Sequence, residues 1–194
     1  HKHHYVVSHM QSLDGAPGLA LEGTGALVFD HVNQIMYASR SERCDSLLAQ
    51  THARQIGYQA VLFDTCSSHG RPFYHTNVMM SVGEQFALIC MDAVAEQDRA
   101  MLRAKLQASK RDVIEISLAQ AEQFFCANVL QLQTSSGQKC IAMSASAYNA
   151  FSDAQRQVLS THGKLIPLAI PTIEHMGGGS VRCMLAEIFL DKRA

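Results

Sequence analysis

The chain predicts an α+β fold assembled from repeated ββαβ units. Two observations carry that prediction. First, four short segments match loosely at Thr24–Phe29, Thr76–Ser81, Ala127–Leu132 and Gly179–Met184. Aligning Gly25, Asn77, Asn128 and Ser180 gives spacings of 52, 51 and 52 residues, and a period near fifty marks one supersecondary unit repeated in a radial array or a stack. Second, the hydrophobic pattern between those segments follows one order each time, strand, turn, strand, helix, strand.

In the first unit, Leu13-Asp14-Gly15-Ala16-Pro17-Gly18 is a loop by composition. Ala26–Phe29 is a short buried strand, Asp30–Asn33 a turn and Gln34–Ala38 a returning strand. Ser46–Ile56 has helical spacing through Leu47, Leu48 and Ile56 and stops at Gly57. Gln59–Phe63 closes the unit. The second unit runs as Asn77–Val82 (strand), Phe86–Met91 (strand), Glu96–Ser109 (helix) and Asp112–Ile116 (strand). Its helix carries Met101, Leu102 and Leu106 on one face and Arg99, Arg103 and Lys110 on the other. A short helix is expected over Leu118–Phe125.

The third unit has strands at Asn128–Gln133 and Lys139–Met143. Ser144 caps a helix over Ala145–Ala150, and Ser152 caps another over Ala154–Thr161 with Asp153 in its first turn. Lys164–Ala169 is the closing strand. After Pro171 and the triplet Gly177-Gly178-Gly179, an apolar strand is expected over Arg182–Leu190. The total is about three units plus a closing strand, read as a single, partial domain over residues 1–194. His1-Lys2-His3-His4 opens a stretch, residues 1–12, that reads as a tag remnant or truncated start.

Composition narrows the function. Lys and Arg number 16 against 17 Asp and Glu, so there is no basic stripe and nucleic acid is excluded as the main partner. No apolar run reaches membrane-spanning length, and no signal-peptide pattern is present. The cysteines, Cys44, Cys66, Cys90, Cys126, Cys140 and Cys183, are scattered and form no CxxC pair. A chain of this size does not need disulfide staples, so reduced thiols and a cytoplasmic location are expected. His69 and His75 lack helical metal spacing and no Cys/His cluster has zinc geometry, so no metal is expected. The glycine triplet precedes an expected strand and is not a nucleotide-binding loop.

Three residues fall at matching hub points of the repeat: Glu22, His75 and Cys183. An acid, an imidazole and a thiol brought together there would make a nucleophilic site. Cys183 follows glycines that let backbone N–H groups face a developing negative charge. Its alternative reading is a buried small hydrophobe. His75 lies at the mouth of a strand, where an imidazole suits general acid or base work near neutral pH. Glu22, before Gly23-Thr24-Gly25, would orient an imidazole or bind a cation; its alternative is a solvated Glu beside a turn.

These stretches resemble a known family. Leu21-Glu22-Gly23-Thr24-Gly25, Tyr74-His75-Thr76-Asn77-Val78-Met79-Met80, Asn128 with Leu130-Gln131-Leu132, and Gly177 through Glu187 resemble the arginine deiminase-related, amidinotransferase-like family, most closely its citrulline hydrolase (citrulline ureidase) branch. The resemblance runs from about residue 19 onward. It implies the pentein fold, a five-bladed propeller of ββαβ units. It also implies Cys183 as nucleophile on a guanidino or ureido carbon, His75 as general acid and base, and Glu22 as the holder of His75 or of a cationic substrate group. No cofactor is implied.

Many deiminases carry Asp two residues after the His. Here that residue is Asn77, a neutral amide that suits a ureido group as well as a guanidinium. Asn77 and Gly179 are candidate substrate-binding residues. Arg43 matches a family arginine that would bind an amino acid carboxylate or form a structural ion pair. Family members have a longer N-terminal portion that supplies about two blades. The expected function is hydrolysis of C–N bonds in a citrulline- or arginine-like amino acid through a covalent cysteine adduct. The alternatives are amidino transfer to an amine, or a non-catalytic binding pentein. Incomplete blades leave sheet edges to cover, so a homodimer, or pairing with another polypeptide, is expected.

Overall fold

A computed structural model describes residues 18–187. The histidine-rich start, most of the loop expected at Leu13–Gly18 and the end of the expected last strand lie outside the described residues.

Three sheets repeat one topology. In the first, a single helical turn α1 (Gly23–Ala26) leads into β1 (Val28–Asp30), β2 (Ile35–Ser39), α2 (Ser46–Gln55) and β3 (Gln59–Phe63). The second comprises β4 (Met80–Val82), β5 (Phe86–Ile89), α3 (Glu96–Ala108) and β6 (Asp112–Glu115), followed by α4 (Leu118–Phe124). In the third are β7 (Leu130–Gln133), β8 (Lys139–Ser144), α5 (Ala145–Ala150), α6 (Asp153–His162) and β9 (Lys164–Leu168), followed by α7 (Pro171–Gly177). Each sheet has its middle strand second in sequence. The first pair is antiparallel and joined by a tight turn, with Phe29 opposite Met36. The second pair is parallel, with Tyr37 opposite Val61. A parallel neighbour requires a crossover, and the helix of each unit supplies it. This is the ββαβ repeat expected from the sequence.

Local chemistry fixes the helix ends. Asp45 accepts hydrogen bonds from the backbone of Leu47 and Leu48 at the start of α2. Ser117 with Gln120, and Ser152 with Gln155, form capping boxes that satisfy otherwise orphaned N–H groups. Helix α2 meets its sheet through Ala49 and Ala53, four residues apart, whose small side chains allow close approach. Leu47, expected on the apolar face, is exposed. Helix α3 buries Leu102 and Leu106 in the same way. The main core joins the units through Phe63, Met79, Phe86, Leu88 and Phe151.

A buried ion pair ties the second unit to the first. Arg111 Nη1 and Nη2 donate to Asp30 Oδ2 and Oδ1 at 2.6 and 2.7 Å, and Arg111 Nε donates to the Gly83 carbonyl at 3.0 Å.

The structure corrects the segments at the hub. Strands were expected to begin at Ala26, Asn77 and Asn128, but begin at Val28, Met80 and Leu130. A turn precedes each: α1 in the first unit, a 3-10 turn at Thr76–Val78 in the second, a hydrogen-bonded turn at 126–127 in the third. The strand expected at Arg182–Leu190 begins instead as a 3-10 turn over Val181–Met184, closed by Cys183 N–H to the Ser180 carbonyl and Leu185 N–H to the Arg182 carbonyl. Short apolar runs do not distinguish turn from strand, because the deciding contacts come from other units. The stretch from Pro171 to the glycines, read as a connection, contains α7: proline opens it, Glu174 lies in its first turn, and Gly178, left-handed at φ 63°, ends it.

Candidate active site

Glu22 is set by its neighbours before its carboxylate is used. Its N–H donates to the Arg43 carbonyl at 3.1 Å, and the flanking Ala20 carbonyl accepts from Asp45 N–H at 2.8 Å. The stretch is thereby laid against the loop between β2 and α2. His75 directly precedes the Thr76–Val78 turn, and Thr76 pins that turn to the first unit: its hydroxyl donates to the Ala26 carbonyl at 2.6 Å and accepts from Ser39 N–H at 2.8 Å, both buried. The His75 ring then lies flat against Gly25, where a Cβ would stand 2.7 Å from Nδ1 and Cε1. Only glycine leaves room for the ring. His75 Nε2 meets Glu22 Oε2 at 2.7 Å.

Arg43 completes this end of the site. Its Nη1 lies 3.5 Å from the same Glu22 oxygen, and its guanidinium sits over the Tyr74 ring, 5.3 Å from the centroid. The Arg43 side chain is half exposed, so an ion pair and an open cationic face coexist. The Tyr74 hydroxyl donates to the Gly178 carbonyl at 2.6 Å. That bond joins the residue beside His75 to the loop that carries Cys183. Burial pushes the Tyr74 phenol above its usual range, the charge of Cys183 as thiolate adds to this, and Arg43 opposes it.

Cys183 is exposed within its 3-10 turn. Asn128, fully buried, brackets it: Nδ2 donates to the sulfur at 3.3 Å, and Oδ1 accepts from Cys183 N–H at 3.3 Å. Asn77 Oδ1 is 3.9 Å from the sulfur. A Cβ on Gly179 would stand 3.3 Å from both Cβ and Sγ of Cys183, so glycine here permits a close approach. The sulfur's hydrogen bonds go to Asn128 and Asn77, not to the His75 ring. The structure therefore brings Glu22 and His75 into direct contact and joins Cys183 to them through Asn77 and Tyr74.

The repeat positions acquire a physical meaning. Asn77 Nδ2 donates to the Thr24 carbonyl at 3.3 Å, Asn128 Nδ2 donates to the Asn77 carbonyl at 3.1 Å, and Cys183 N–H donates to Asn128. Each hub residue reaches back to the hub of the preceding unit. Ser180, the fourth aligned position, donates instead to Glu174 Oε1 at 2.7 Å, while Ser146 donates to Glu174 Oε2 at 2.6 Å.

Asn128, Tyr74 and Glu174 belong to the site and escaped sequence reasoning as functional residues. The first stands at an aligned repeat position, which was the available signal. Tyr74 adjoins His75. For Glu174 there was no signal, since its helix was read as a connection.

Three of the other cysteines are buried, unlike Cys183. Burial pushes the Cys44 and Cys90 thiols up to about 11 and that of Cys126 up to about 12. Arg182 is buried and donates to the Leu185 carbonyl at 2.7 Å, with Glu187 3.4 Å away. A cavity of about 340 Å³ runs along the inner strands between Val28, Met80, Leu130 and Arg182. It reaches Asn77 but is not lined by Glu22, His75 or Cys183. Its Arg111 is already committed to Asp30, so the convergent chemistry lies at the turns and not in this cavity.

The chain matches the family described as N,N dimethylarginine dimethylhydrolase, eukaryotic, over residues 1–190. No curated protein matches it. Among solved structures it is similar to the N-terminal domain of ArgZ bound to product, an arginine dihydrolase from the ornithine-ammonia cycle in Cyanobacteria, with TM-score 0.68, 17% identity, and coverage of 86% of this chain and 55% of that one. Unliganded AgrE gives TM-score 0.69 at 17% identity, covering 87% of this chain and 23% of AgrE. A Cys-to-Ser mutant of DDAH from Pseudomonas aeruginosa, complexed with citrulline, gives 0.54 at 12%, covering 80% and 51%. At these identities the likeness is one of fold. The chain spans about half the length of the ArgZ domain and of the DDAH chain.

Proposed function

The chain belongs to the N,N dimethylarginine dimethylhydrolase family, and we propose that it hydrolyses a C–N bond in the guanidino or ureido group of an amino acid, with Cys183 as nucleophile. The observation that carries this reading is the Glu22–His75 pair at 2.7 Å, held beside the Cys183 turn by hub residues of three units.

Cys183, as thiolate, adds to the guanidino or ureido carbon and forms a C–S bond. His75 gives its proton to the departing nitrogen as the C–N bond breaks, and the amine leaves. A planar S-linked adduct remains on Cys183. Water then adds to the same carbon and loses its proton to His75. The C–S bond breaks, the electron pair returns to sulfur, and the amine has been exchanged for oxygen. Glu22 keeps the ring in one orientation and balances its charge when protonated, the arrangement that a nucleophile, its base and an orienting acid require. Gly179, packed on Cys183, leaves room for substrate to approach the sulfur. Arg43, half exposed, is placed to meet the substrate carboxylate. Asn77 contributes an uncharged amide beside the sulfur, which favours a ureido group and puts citrulline first among substrates. Six unbridged cysteines support a reducing, cytoplasmic setting.

Intact-mass spectrometry of the protein with citrulline, arginine or N,N-dimethylarginine, with released ammonia or dimethylamine followed in parallel, tests this. The expected result is amine release with a transient adduct mapped to Cys183, lost in Cys183→Ala without change in melting temperature. Turnover that survives Cys183→Ala removes the nucleophile assignment.

A further inference from the structure

We propose that Asn128 is a positioning residue that stabilises the thiolate of Cys183 through its side-chain amide. The inference rests on Cys183 being the nucleophile.

The geometry is specific. Asn128 is fully buried, from a different unit than Cys183, and both ends of its amide are committed to the same residue: Nδ2 to the sulfur and Oδ1 to the backbone N–H, each at 3.3 Å. The orientation of the amide is fixed by a third bond. Nδ2 also donates to the Asn77 carbonyl at 3.1 Å, which only the NH2 end can do. A donor is therefore aimed at the sulfur whichever protonation state the thiol adopts. A hydrogen bond that favours the charged form of a group lowers the free energy of that form. Among the described residues, the side-chain acceptor hydrogen-bonded by the sulfur, Asn77 Oδ1, is farther away at 3.9 Å. The balance of the two amides favours S⁻ over S–H. The Glu22–His75 pair makes no hydrogen bond to the sulfur, so Asn128 supplies a local stabilisation that the imidazole does not.

The alkylation of Cys183 by iodoacetamide across pH, read peptide by peptide, measures thiolate directly and needs no turnover. Exposed Cys66 is the internal reference, and buried Cys90 and Cys126 report unfolding. In Asn128→Leu, close in shape but with no NH2 to donate and no added charge, the Cys183 midpoint should rise by about one pH unit, roughly tenfold less thiolate at a given pH below it, while the Cys66 midpoint stays. An unmoved Cys183 midpoint with Cys90 and Cys126 still protected overturns the proposal.

A measurement on unaltered protein guards against a variant that fails to fold. The Asn128 side-chain amide protons, followed by NMR, should titrate with the same midpoint as Cys183 alkylation and lose that titration in Cys183→Ser; amide signals that ignore the Cys183 titration overturn the proposal equally. If Cys183→Ala retains turnover, the catalytic reading fails, and it does so separately from the coupling measured here.

Discussion

Gly25→Ala should inactivate the protein while leaving its stability nearly intact. The added methyl carbon would stand 2.7 Å from Nδ1 and Cε1 of His75, against about 3.5 Å for an ordinary carbon contact. The ring must therefore retreat by about 0.8 Å, and a 2.7 Å hydrogen bond does not survive a change of that size without realignment. Misplacement of a catalytic group by about 1 Å costs on the order of 100-fold in rate, so kcat/KM for amine release should fall by about that factor. Folding should be little affected. Gly25 is inside α1 with no positive φ, where alanine is favoured over glycine by up to about 1 kcal/mol, and this offsets part of the steric cost. The assay is paired: initial rates of amine release, and thermal melting of the same preparation. A variant with wild-type kcat/KM would refute the claim that the ring's seat on Gly25 sets the site.

Three further outcomes are expected. Asp30→Ala leaves Arg111 buried without its partner, and breaking a buried pair in this way costs about 3–5 kcal/mol; urea unfolding that shows less than about 1 kcal/mol would mean that the units are held together otherwise. Glu174→Ala removes the acceptor of both Ser180 and Ser146, should lower stability by roughly 1–3 kcal/mol and should lower kcat more than it raises KM, since Ser180 opens the Cys183 turn; unchanged kcat would count against a link between α7 and the nucleophile. Stability should decline above about pH 9. The thiols of Cys44, Cys90 and Cys126 are near 9 when unfolded and about 11, 11 and 12 when folded. Below pH 9 both states hold these protons; between about 9 and 11 only the unfolded chain releases them, and the equilibrium shifts toward it. Cys126→Ala should flatten that decline, and a pH-independent unfolding midpoint from pH 8 to 11 would contradict the burial of these thiols.

The repeat was legible because its signals are local. Ser144 and Ser152 announce helix starts with their own side chains, and the short apolar runs of β2 and β5 need only neighbours in the chain. The hub turns were not legible, because what bends them is remote. Thr76 is held by Ala26 and Ser39, and the Cys183 turn by Asn128, 55 residues earlier. A strand and a 3-10 turn of the same apolar residues differ in which partner takes the backbone N–H, and that partner is absent from any local window. Glu22 and His75 could be found as matching points of the repeat, but the place of Glu22 on His75 rather than on a free cationic group depends on Gly25 making room. Helix α7 was missed for a related reason: none of its residues is buried, so it carries no hydrophobic period, and only its proline and Glu174 mark it.

The errors at the hub and the chemistry at the hub have one origin. A strand beginning at Asn77 would alternate its side chains across a sheet and place His75 and Asn77 on the same face, one step of the pleat apart. A 3-10 turn instead lets His75 turn outward to Glu22 while Asn77 turns inward, buried, to Thr24 and toward the sulfur. The same device at Val181–Met184 buries Val181 and Arg182 and leaves Cys183 exposed. Regular strands would bind these residues into ladders; one tight turn before each strand spends only two backbone bonds and frees side chains to reach another unit. The aligned positions then hold Gly, Asn, Asn and Ser for different reasons. Gly25 yields space to a ring, Asn77 and Asn128 each donate to the hub of the preceding unit, and Ser180 ties the Cys183 turn to α7. The repeat thus conserves a place for a side chain to cross between units, while the residue put there decides whether that place holds the fold, the imidazole or the thiol.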